Sequence, residues 1–98
     1  MVLLMDREFV IAFSSTNIAI KAEASLLERG VQVSVMPLPS QIKAGCGICL
    51  RVCFIELSST LDVLAKTFSE AQLKEFTLYE RTEENGRKIY YELDFFNG

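Results

Sequence analysis

Along the chain, blocks of apolar residues repeating every second position alternate with blocks repeating every 3.6 positions, and this switching predicts a mixed α and β fold. Glu8 to Ser14 (Glu-Phe-Val-Ile-Ala-Phe-Ser) is a β-branched and aromatic run that reads as a first strand covered on both faces. Ser14, Ser15, Thr16 and Asn17 follow, with side-chain oxygens able to accept from the unpaired N–H groups of a helix's first turn. Ile18, Ala22 and Leu26 then recur at helical spacing, so a first helix begins near Thr16. It ends at Arg29-Gly30, where a cation meets the negative helix terminus and a glycine can take a left-handed cap. Val31, Val33 and Val35 alternate with Gln32 and Ser34 as a second strand, stopped by Pro37-Leu38-Pro39.

Ser40 to Gly47 reads as a loop, and alternation resumes from Ile48 to Ile55 as a third strand. Its pleat puts Ile48, Leu50, Val52 and Phe54 on one side and Cys49, Arg51 and Cys53 on the other. Ser59 and Asp62 resemble a capping box that opens a second helix over Leu61, Leu64, Ala65 and Phe68. Glu75 to Thr82 and Lys88 to Phe95 flank Asn85-Gly86, a strong hairpin signal, and should pair as fourth and fifth strands.

The order is β-α-β-β-α-β plus one strand. It predicts an α+β, ferredoxin-like domain with an antiparallel sheet and both helices on one face. The whole chain forms a single domain, with a core over about residues 8 to 82 and a C-terminal hairpin strand over about 88 to 95. The sheet's other face would carry Val10, Ala12 and the strand cysteines, so a second protomer in a homodimer or the C-terminal hairpin is expected to cover it.

Composition narrows the chemistry. The chain has 98 residues, 13 acidic and 10 basic side chains and a net charge of −3, without the clustered cations that a nucleic-acid surface needs. The five apolar residues ahead of Asp6 are too few for a signal-peptide core, and no uninterrupted apolar run could span a membrane. There is no histidine, which excludes imidazole acid–base catalysis, Cys-His pairs and mixed Cys/His zinc sites. Three cysteines are an odd number, grouped at Cys46, Cys49 and Cys53, unlike a secreted disulfide framework, and the expected setting is a reducing cytoplasm.

Four readings compete for the cysteine segment. The Cys-x2-Cys-x3-Cys spacing resembles part of an iron–sulfur run, yet Cys46, Cys49 and Cys53 fall one ligand short of a cluster, and neither a metal nor a cofactor is expected. Cys46 and Cys49 could act as a dithiol, with Cys49 as resolving thiol, although Cys49 falls in a strand. Cys49 and Cys53 could equally be small buried hydrophobes. Finally, Cys46 stands alone in a glycine loop. In this topology that loop emerges beside the start of the first helix, where the helix dipole and the hydroxyls of Ser14, Ser15 and Thr16 would favour an anion on sulfur. Gly45 and Gly47 would leave room for a second protein's sulfur, and Lys43 or Arg51 could add positive charge.

Ala12-Phe13-Ser14-Ser15-Thr16, Ala22-Glu23, Pro37-Leu38-Pro39 and Cys46-Gly47-Ile48-Cys49-Leu50-Arg51 together resemble the selenium/sulfur carrier-like small-domain family. The resemblance runs over roughly residues 8 to 82 and implies that Cys46, Gly47 and Arg51 match the family's cysteine, glycine and basic residue. Gly45 stands where the family often has a small hydroxyl residue, and Cys49 and Cys53 are additions to its pattern. It implies a covalent carrier more than an autonomous enzyme, with sulfur or selenium donor and acceptor proteins as partners. The competing expectation is a non-enzymatic interaction or dimerisation module with structural cysteines.

Overall fold

The structure is a computed structural model that describes residues 7–43 and 45–94. Expectations falling on Met1 to Asp6, Ala44, Phe95 and Phe96 lie outside the described residues. Its elements are β1 (Glu8–Phe13), α1 (Thr16–Glu28), β2 (Ser34–Pro37), β3 (Ile48–Cys53), α2 (Phe54–Thr67), α3 (Glu70–Leu73), β4 (Phe76–Glu84) and β5 (Arg87–Leu93). The sheet order is β2-β3-β1-β4-β5, every neighbouring pair antiparallel. Thus β3 lies between β1 and β2, and β1 lies between β3 and β4. These are two interleaved split β-α-β units, as the ferredoxin-like reading expects. The fifth strand is an in-plane extension on β4.

Register assigns the faces. Phe9, Ile11, Phe13, Leu50, Val52, Phe76 and Leu78 line one side and form a single buried cluster with Ala19, Ala22 and Leu26 of α1 and Val63 and Leu64 of α2. Five of the six residues of β1 are buried because this central strand is covered on both sides. On the open side, Val10, Cys49 and Ile42 form a second small cluster, flanked by Met36, Leu38, Tyr79 and Tyr90.

That cluster corrects the expectation for the open face. The C-terminal hairpin does not fold over it; β5 stays in the sheet, and the loop after β2 brings Ile42 down as a cover only 5 % exposed. Gln41 Nε2 donates to the Lys88 carbonyl at 3.3 Å, so the same loop reaches across to β5.

Helix α1 begins at Thr16 as expected, with Ser15 Oγ accepting from the Ile18 N–H. Its end explains why the second strand is later than the valine alternation suggests. The Gly30 N–H donates to the Leu27 carbonyl and the Val31 N–H to the Leu26 carbonyl, a Schellman cap with Gly30 at φ +77°. Val31 therefore closes the helix and packs beside Leu26, and β2 is left with Ser34–Pro37 on the sheet edge. Pro37 is tolerated at this outer strand.

The second helix also departs from expectation. The third strand ends at Cys53 and α2 starts at Phe54, five residues before the supposed Ser59 cap. The Phe54 N–H donates to the Arg7 carbonyl at 3.0 Å, and its ring lies 6.4 Å from that of Phe9, with the Arg7 guanidinium over both. Phe54 keeps its predicted side while changing element. Phe54, Leu57, Leu61 and Leu64 already hold helical spacing, so the apolar stripe extends upstream of the Ser59 signal. A one-turn α3, unforeseen in the periodicity, is held by a capping box between Ser69 and Gln72. The Asn85-Gly86 turn places both residues at positive φ, 54° and 76°, as a two-residue hairpin requires.

Candidate functional site

The candidate site is the loop from Leu38 to Gly47. Its base is closed by the Leu38 N–H donating to the Gly47 carbonyl at 2.9 Å. A second tie, from the Cys46 N–H to the Phe13 carbonyl at 2.9 Å, fixes it to the last residue of β1. The topology therefore brings Cys46 to the β1–α1 junction, two residues from the Ser15 cap, as the split β-α-β argument anticipates. Two backbone positions make the loop possible. Gly45 has φ +144° and Gly47 φ +94°, regions that side-chain-bearing residues rarely enter. A Cβ on Gly45 would also stand 3.0 Å from Leu38 Cδ2, whereas one on Gly47 would meet nothing within 4 Å.

The three cysteines separate. Cys46 is half-buried against the helix-side core, and its thiol donates to the Ile48 carbonyl at 3.6 Å. Cys49 lies on the open face, 1 % exposed, with Sγ 3.8 Å from the Pro37 carbonyl. Burial first, and then the charge of a Cys46 thiolate, push its thiol up to about 11. Cys53 is half-buried opposite Glu8 and stands at the N-cap of α2 without a side-chain capping bond. Among the described residues no group of three or more Cys, Asp or Glu side chains could hold a metal ion.

The other residues singled out in the sequence are distributed as follows. The Ser15 hydroxyl caps α1, and the Ser14 hydroxyl donates to Glu75 Oε1 at 3.1 Å. Thr16 is exposed at the first position of α1, and Lys43 is exposed on the loop. Arg51 lies on the open face, where Nη2 meets Glu8 Oε1 at 3.2 Å, while Cys46 packs against the opposite, helix-side core. Glu75 was not singled out. With Ala12, Ser14, Gly45 and Thr77 it lines a cavity of about 110 Å³ beside the loop. Only the pairing of β1 with β4, Phe13 opposite Phe76, carries it to Ser14, so no local pattern could have marked it.

Residues 8–79 match the model of the family described as "Putative Se/S carrier protein-like". The chain belongs to that family. The Se/S carrier-like match takes in β1 through the first half of β4, hence the whole Cys46 loop, and leaves out β5. No curated protein and no solved structure is detectably similar to the chain. No helix among the described residues is long and apolar enough to cross a membrane.

Proposed function

We propose that this Se/S carrier-like protein holds sulfur or selenium on Cys46 and passes it between a donor and an acceptor protein in the reducing cytoplasm. The observation that carries the reading is the contrast between the two thiols nearest each other in sequence. Cys46 sits half-exposed in a glycine-flanked turn pinned to the last residue of β1, and Cys49 is sealed on the other face with its thiol held protonated. One carrier thiol is thereby distinguished from its neighbour.

The step is a thiolate exchange. The Cys46 thiolate attacks the outer sulfur of a donor persulfide, R–S–SH. A new Sγ–S bond forms as the donor's S–S bond breaks, the donor leaves as R–S⁻, and the proton stays on the transferred sulfur. An acceptor thiolate repeats the exchange, with no net oxidation. Selenium in the outer position follows the same balance. The chain has no histidine, so no imidazole base serves the exchange.

Incubation with a persulfide donor followed by intact-mass measurement tests this. The wild-type protein and a Cys49→Ala variant should each gain about 32 Da, one sulfur, and Cys46→Ser should gain nothing. An unmodified wild-type protein, or a gain that survives Cys46→Ser, overturns the reading.

A second reading, an interaction module with structural cysteines, is favoured by a separate feature. Phe54, Ile55, Leu57 and Leu61 line an apolar groove on α2, and Ile55 is 68 % exposed. Slow alkylation of native Cys46, with partner binding intact after Cys46→Ser, supports the module over the carrier.

A further inference from the structure

We propose that the open face of the sheet holds a second site, independent of Cys46, for a small organic dianion of the phosphate-monoester class.

The sheet is curved enough for its two outer strands to share a cavity. Met36 of β2 and Lys88 and Tyr90 of β5 line one hollow of about 280 Å³, although three strands separate them in the ladder order. That volume is near the lower end, about 300 Å³, of small-ligand pockets. The hollow is positively charged in a chain of net charge −3. Arg51, Arg81 and Lys88 face it against one carboxylate, Glu8, leaving an excess of two positive charges.

Glu8 does not exhaust these cations. Arg81 Nη2 meets its Oε2 at 2.7 Å and Arg51 Nη2 its Oε1 at 3.2 Å, one ion contact apiece from guanidinium groups that each carry five N–H donors. The arginine side chains are 49 % and 32 % exposed for Arg51 and Arg81, and Glu8 is 19 % exposed, so an incoming ligand meets the guanidinium groups before the carboxylate. The Lys88 ammonium forms no ion pair among the described residues. Glu83, opposite Lys88 in the ladder, is exposed and does not line the hollow.

The remaining wall suits the organic part of such a ligand. Val10 and Met36 are apolar, and Tyr90 offers a ring with a phenol that burial keeps protonated and able to donate. Cys49, packed in the same cluster, adds no negative charge near neutral pH because its thiol is pushed up to about 11. Two surplus positive charges call for a dianion, and fork-shaped guanidinium donors suit its oxygens. Arg81, Lys88 and Tyr90 all lie beyond the residues, 8–79, that match the carrier-like family. The site therefore draws on the β4–β5 extension, and no residue of the Cys46 loop lines it.

The full chain, labelled with ¹⁵N, is titrated with phenyl phosphate, inorganic phosphate and phenol while the arginine Nε–H signals and the Tyr90 amide are followed. Phenyl phosphate should shift them saturably, inorganic phosphate more weakly and phenol not at all, with affinity falling as salt is raised. Lys88→Gln should weaken phenyl phosphate about tenfold without moving the melting temperature, since it breaks no ion pair. Arg81→Gln should weaken it at least as much, and Cys46→Ser should leave it unchanged, which separates this site from the carrier reading. The proposal is overturned by shifts that do not saturate, by phenol binding as tightly as phenyl phosphate, or by a Lys88→Gln variant with unchanged affinity.

Discussion

The two faces of the sheet are built from alternate residues of the same strands, yet they solve different problems. On the helix side, Phe9, Ile11, Phe13, Leu50, Val52, Phe76 and Leu78 are covered by α1 and α2. Phe76 stacks edge-on against both Phe13 and Phe68, at 4.8 and 5.0 Å between ring centroids. On the open side the buried cluster among the described residues is Val10, Ile42 and Cys49 with four partly buried neighbours, and it gives way to the Arg51–Glu8–Arg81 ion network. One loop of this chain covers that smaller cluster, so it does not need a second protomer to be buried. The difference teaches that stability is concentrated on one face, leaving the other free to carry charge and a concave surface.

The comparison breaks most directly in the core. Phe13→Ala should cost about 3–5 kcal/mol in urea unfolding, and Val10→Ala on the opposite face of the same strand about 2 kcal/mol. Equal losses would mean that the open-face cluster supports the fold as much as the helix-side core does.

Alkaline pH probes the buried thiol of the open face, with Tyr91 on the other face raised mainly through its hydrogen bond to Glu84. The folded state raises Cys49 from an ordinary 9.0 to about 11, so it holds this proton more tightly than the unfolded chain does. The stabilisation is complete below about pH 9 and is lost as pH rises towards 11, by ~2–3 kcal/mol. Tyr79 and Tyr90 are raised by burial and act in the same direction. Urea midpoints measured across this range should fall, and Cys49→Ala should make the fall shallower. An unchanged slope would show that Cys49 is solvated.

The loop between the faces gives a smaller effect. Gly45→Ala should cost about 1–3 kcal/mol through its positive φ and the Leu38 contact, and Gly47→Ala less, because its strain is backbone only. A Gly45→Ala protein as stable as the wild type would show that the loop relaxes freely.

Smallest is the ion network. Glu8→Gln should destabilise by about 1 kcal/mol, since its partners are partly solvated, and the loss should shrink with salt.

Much of this molecule was legible residue by residue. The Thr16 helix start, the Asn85-Gly86 turn, the split of β3 into an apolar side and a cysteine–arginine side, and the position of the Cys46 loop beside α1 all follow from local caps, period and topology. Less legible were boundaries at which one residue could serve two elements. Val31 fits a strand by alternation and a helix cap by position, and the cap prevails because Gly30 lets its N–H reach the Leu26 carbonyl. Phe54 fits the strand's apolar side, but the Arg7 carbonyl and the Phe9 ring hold it as the first residue of α2.

By itself, then, the sequence determined the order of the strands and the two long helices, the two sides of the β3 pleat and the separation of Cys46 from the other two cysteines. These depend on backbone chirality, side-chain period and short-range hydrogen bonds, which act between near neighbours. Tertiary structure decided which distant groups meet. It set Glu75 beside Ser14, Ile42 over Cys49, and Arg51, Arg81 and Lys88 around one hollow. Those meetings depend on strand order and on the curvature of the sheet, and both arise only when all five strands are assembled.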